Sequence, residues 1–128
     1  MTALMTAVAT ATATVPRLYA LNSVPASPTY PYGAYSATLG RGDAYTLDVS
    51  HGLRWGRVTV QTFGRTADSA LTRMDEAVAA LLDQRLTIAG YQCGPLALEL
   101  DPAVTRDPDD TGVVGVTATF TFTATKET

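Results

Sequence analysis

Apolar and polar residues alternate along VVGVTATFTFTAT, residues 113–125. Val114, Val116, Ala118, Phe120, Phe122 and Ala124 take the even positions, and from Thr117 to Thr125 every odd position is threonine. A period of two predicts a strand with one apolar face and one hydroxyl-bearing face. A cover for the apolar face is legible in GRTADSALTRMDEAVAALLDQ. Ala67, Ala70, Leu71, Met74, Ala77, Val78, Leu81 and Leu82 form one helical stripe, with Asp68, Thr72, Arg73, Asp75, Glu76 and Asp83 off it. Thr66 is placed to cap this helix, and Asp68 sits in the first turn, where the helix dipole favours an acid. The spacing predicts a helix over 67–84.

The rest of the chain reads as shorter pieces. TALMTAVATATATV fits a helix, with Leu4, Val8, Ala11 and Val15 on one side, and from Val8 to Thr14 it also fits a strand. An N-terminal helix within 1–15 is favoured because alanine dominates and Pro16 supplies a stop. Four prolines between 16 and 31 predict turn-rich chain, with a short strand at 17–21. A strand over 32–38, a GRGD turn and an alternating segment around Tyr45, Leu47 and Val49 follow. In LRWGRVTVQTF, Leu53 and Trp55 are odd while Val58 and Val60 are even, so a bulge is expected at Gly56 to return both pairs to one face. LALEL supplies a further strand, and DPAVTRDPDDTG reads as a long acidic loop before the last strand. The sum is a two-layer α+β fold: an antiparallel (mixed) β-sheet with helices packed on one face, in a single domain. The threonine face is left over, for water or for a polar partner.

Composition narrows the function classes. At 128 residues one domain is expected. No run of about 20 apolar residues is present, so no membrane partner is expected. Cys93 is the sole cysteine, which excludes an internal disulfide. Residues 1–16 hold no Lys or Arg, which argues against a secretory signal. The net charge of −3 argues against nucleic acid as a partner. All the cations but Lys126 are arginine; Arg41, Arg54, Arg57 and Arg65 lie mid-chain, while Glu99, Asp101, Asp107, Asp109 and Asp110 come late. Such polarity suits a chain that meets copies of itself, and also suits scattered solvated charges.

Candidate chemistry is thin. Asp110-Thr111-Gly112 is the triplet of aspartic proteases, whose two carboxylates share a proton in a protected cleft. Here it follows the charged, proline-containing RDPD rather than an apolar strand, so a turn is the better reading. DVSH contains Asp48, Ser50 and His51, but neighbours on a strand do not form a triad. Cys93 reads as a structural thiol. Asp107, Asp109 and Asp110 lack EF-hand spacing, so a solvated loop is preferred over a metal site. RGD at 41–43 reads as a hairpin turn. The expectation is no enzyme and no cofactor.

The order of pieces carries a resemblance. Tyr30-Pro31-Tyr32, the strand 57–63 running directly into the helix at Thr66, and the Leu81-Leu82 helix end together resemble the tail terminator (tail completion) proteins of long-tailed bacteriophages, over residues 15–125. The resemblance implies an α+β subunit of a homo-hexameric ring on the head-proximal end of the tail tube. Such a ring stops tube polymerisation and offers the surface for head–tail joining. Its implied partners are further copies of itself, the tail tube protein and the head–tail connector protein. Its implied place is the tail–head junction of the virion, after assembly in the host cytoplasm. Another neck component is the alternative, and the protease reading is the opposed class. The family has no residue motif to map. Contacts outside the ring are expected in the hairpin region 41–55, with Arg41, Asp43, Tyr45, Arg54 and Trp55, and in the acidic loop, with Arg106, Asp107, Asp109 and Asp110, because Arg, Tyr and Trp are enriched at interfaces. Asp110→Asn separates the classes: circular dichroism and light scattering should give the wild-type fold and assembly state, whereas in an aspartic protease the same change abolishes proteolysis.

Overall fold

The computed structural model describes residues 3–40, 53–106 and 112–126. In chain order these form α1 (Ala3–Ala11), β1 (Leu18–Ala20), a 3-10 turn (Leu21–Ser23), β2 (Tyr32–Leu39), β3 (Leu53–Gly64), α2 (Ala67–Leu81), β4 (Tyr91–Cys93), β5 (Ala97–Arg106) and β6 (Val114–Lys126). The described strands make one mixed sheet. β1 is parallel to β2, and the sheet continues antiparallel through β3 to β6, whose far edge is shared by β5 and β4. This is the expected α+β architecture.

The alternation of β6 is the basis of the core. Val116, Ala118, Phe120, Phe122 and Ala124 are all buried, and Phe120 and Ala118 sit opposite the buried Val58 and Val60 of β3. Ala70, Met74, Ala77 and Leu81 of α2 close over them, and α1 adds Leu4, Ala7 and Val8 beside Tyr35 of β2. Both helices therefore bury into the same cluster as the even face of the sheet. Hydroxyls finish the helices locally. Ser69 donates its backbone N–H to Thr66 Oγ1 at 3.1 Å, and Thr66 donates its own to Ser69 Oγ at 3.3 Å, forming a capping box. Thr62, buried in β3, donates from Oγ1 to the Ala70 carbonyl at 2.8 Å and ties the first turn of α2 to the sheet. Gly64 makes this close approach possible, since a Cβ there would collide with Ser69. Thr10 of α1 and Thr12 just beyond its end donate to the carbonyls four residues back, which turns these hydroxyls onto the helix's own backbone.

Several sequence expectations are corrected. β3 has no bulge at Gly56. Its pairing with β6 runs unbroken from Leu53↔Thr125 to Gly64↔Val114. Even residues face the helices throughout, so Trp55 faces out. Gly56 is an inward position whose space is taken by Phe122, its direct partner on β6; a Cβ on Gly56 would overlap that ring. α2 ends at Leu81, short of 84, because Leu82 turns extended and Asp83 adopts φ 63°. Residues 83 and 84 instead exchange backbone hydrogen bonds with Leu96. Arg73, read as off the stripe, is buried on it, with NH1 donating to Glu76 Oε2 at 2.7 Å. The first half of the expected acidic loop is strand: β5 runs to Arg106, with register shifts around Leu100 that accommodate Pro102. β4 is an additional short strand, pairing Cys93 with Ala124. The alternating segment 45–50 lies outside the described residues.

Removing Phe120 from this core should matter most. Urea unfolding is expected to show Phe120→Ala destabilised by about 3–5 kcal/mol. Thr66→Ala, which removes the cap, should cost about 1 kcal/mol. Thr59→Ala, on the opposite side of the sheet, should cost about 1 kcal/mol or less, through lost strand propensity.

Candidate interaction site

Odd residues of β3 and β6, with even residues of β2, build the face of the sheet that turns away from both helices. Cross-strand partners there include Tyr32 with Phe63, Ser36 with Thr59, Thr59 with Thr119, Gln61 with Thr117 and Trp55 with Thr123. Thr117, Thr119, Thr121 and Thr123 are half-buried among their neighbours. Threonine suits this position: the branched Cβ packs on the pleated surface while the hydroxyl remains available to water or a partner.

The two ends of this face differ. At one end Tyr30, Tyr32 and Phe63 form an aromatic row, with ring centroids 5.3 and 5.2 Å apart, and the Arg65 guanidinium lies 4.4 Å over Tyr30. At the other end Trp55 is 56% exposed. It borders a groove of about 460 Å³ framed by Thr38, Arg57, Glu99 and Thr121. Arg57 donates to Glu99 Oε1 at 3.0 Å, spanning from β3 to β5 across β6. Both partners are substantially exposed, so the pair adds little stability. Its effect is to balance charge locally, beside Trp55.

The helix layer carries the larger recess, about 710 Å³, between α1 and residues 84–89. Ala3, Thr6 and Thr10 of α1 form one wall, and Leu86, Thr87 and Ala89 form the other. Arg85 also lines it, and its NH1 donates to the Cys93 carbonyl at 3.0 Å.

The residues singled out in the sequence divide three ways. Arg54 and Trp55 are adjacent but point to opposite sides of the sheet; Arg54 is half-buried, with its guanidinium 5.9 Å over the Tyr91 ring. Arg106 ends β5, paired with Val114. Arg41, Asp43, Tyr45, Asp107, Asp109 and Asp110 lie outside the described residues. The Arg57–Glu99 pair and the Tyr30–Tyr32–Phe63 row were not among the expected contacts, although Tyr30 and Tyr32 stood out as a sequence landmark. A strict period of two carried through Gly56 puts Arg57 beside Trp55 and offers the signal for the first. Burial pushes the Tyr35 hydroxyl and the Cys93 thiol upward, so both stay protonated at neutral pH, and neither is activated for nucleophilic work. No described helix is long and apolar enough to cross a membrane.

No protein-family model matches the sequence, and no curated protein does. The fold is matched among solved structures. A chain from the structure described as "Virion of native gene transfer agent (GTA) particle" superposes with a TM-score of 0.65 at 11% sequence identity, covering 92% of this chain and 84% of that one.

The buried thiol gives a direct check. Because burial raises its pKa, the folded protein holds Cys93 as the thiol at pH values where the unfolded chain begins to ionise. Labelling by a thiol reagent at pH 8 should be slow in buffer and fast in denaturant. Stability should fall as pH rises from the unfolded thiol pKa toward the higher folded one, and this loss should be absent in Cys93→Ser.

Proposed function

We propose that the chain is a structural, non-enzymatic virion protein of the tail terminator type. Six copies form a ring on the head-proximal end of a phage tail tube, stop its polymerisation and present a surface to the head–tail connector. The observation that carries this reading is the fold: a sheet layered by helices on one side only, matching a chain of a virion particle over 92% of its length. The sequence order that resembles tail terminators supports the more specific role.

A growing tube exposes at its last ring a surface that recruits the next subunit. A terminator binds that surface and offers a different one beyond it. Each subunit contact in a ring joins patch A of one copy to patch B of the next, since rotational closure requires unlike surfaces. Six tube contacts made together then hold more tightly than one, through avidity. The threonine face, unused by the chain's own helices, is available for such contacts.

Two measurements test the reading. In the presence of tail tubes, light scattering should detect a species six times the 13.5 kDa protomer. Particles made without this protein should carry tails of irregular length that fail to join heads. Tails of normal, uniform length joined to heads in its absence would sink the proposal.

A further inference from the structure

Two features on opposite layers of the molecule remain unmatched within one chain. One is Trp55, the sole tryptophan, exposed on the outer sheet face. The other is the 710 Å³ groove between α1 and residues 84–89. We propose that Trp55 of one copy seats in this groove of the next copy, so that the outer sheet face of each subunit packs on the helix layer of its neighbour.

Size supports a second copy as the occupant. β6 is 13 residues long. With β2, β3 and β5 at 8, 12 and 10 residues, a rise of about 3.4 Å per residue and strands about 4.8 Å apart, the four strands present roughly 700 Å². That is about the area one partner contributes to a standard stable interface.

Charge supports it as well. The strand positions of the outer face hold Arg57 and Glu99 paired with each other. Residues 1–16, which include α1, contain no charged side chain, although a solvent-facing helix ordinarily carries several. The acids of the helix layer, Asp68, Asp75, Glu76 and Asp83, belong to α2 and its C-terminal turn and do not line the groove. The one charge that does line it is the cation of Arg85. An indole face attracts a cation, so Trp55 of one copy is a suitable partner for Arg85 of the next.

Geometry settles the symmetry of the contact. The knob is on the sheet side and the hole on the helix side, so one copy's knob meets another copy's hole. This is a head-to-tail contact that closes into a ring or runs into a filament. It supplies patch A and patch B for the ring reading, on which the closure rests; the pairwise contact stands apart from any tail tube.

A lone tryptophan makes the test direct. Full-length protein is titrated over concentration while mass is followed by light scattering and Trp55 by its fluorescence. The expected result is a blue shift of emission that tracks association. Trp55→Ala should weaken association about 30-fold or more, the scale of an interface hot spot. Thr10→Phe, which fills the groove from an exposed helix position, should weaken it similarly while Trp55 emission stays at its solvent-exposed wavelength. Both variants should keep the wild-type circular dichroism. Oligomers in which Trp55 emission does not move, or Trp55→Ala oligomers as tight as wild type, overturn the contact and leave the ring reading standing. A wild-type chain that stays monomeric at every concentration also overturns the contact, while the tail-length measurement decides the terminator role independently.

Discussion

The ring of Phe122 occupies the space that Gly56 leaves empty, and the rest of the sheet depends on this fit. A strand moved by one residue exchanges its two faces. Sliding β3 by one place on β6 would put a side chain against that ring and turn Val58 and Val60 to water. The phenylalanine and the glycine therefore select one pairing out of several that local propensity tolerates. Once that pairing is set, the even residues of both strands face the helices and the odd residues face away. The outer position of Trp55 and the continuous threonine surface follow from the same constraint.

How much of this was legible varies with the length of each signal. The α2 stripe and the β6 alternation are long, and both elements are present, α2 stopping three residues short of the expected end. The cap at Thr66 was legible too, because a hydroxyl before an apolar helical run has a defined partner two or three residues on. β4 was not, since three residues carry no period. The strand character of 103–106 was hidden by Asp101 and Pro102, local turn signals outweighed by pairing with the long β6. The expected bulge came from treating Trp55 as a core residue; its exposure violates the rule that large apolar side chains are buried, and such violations concentrate where a surface has another use. For the site, the threonines were readable one by one. The Arg57–Glu99 pair, 42 residues apart in sequence, was not. The hairpin and acidic-loop residues expected to make contacts are largely outside the described residues.

The two faces of the sheet carry different loads. One face is fully committed to the chain's own helices, and Arg73 is drawn into that layer with Glu76 as its partner. The other offers hydroxyls, two aromatic regions at its ends and a neutralised charge pair. It is a broad platform of hydroxyls and aromatic rings.

The edge of the sheet adds a last consequence. β5 pairs with β6 in three stretches interrupted by two register shifts, with a proline lying in the second interruption. An open strand margin invites backbone zippering with any extended peptide, and kinks and prolines discourage it. A broken margin of this sort cannot template a long hydrogen-bonded ladder. Protomers of this shape are thus steered away from amyloid-like stacking, and side-chain surfaces are left to govern how they add to one another.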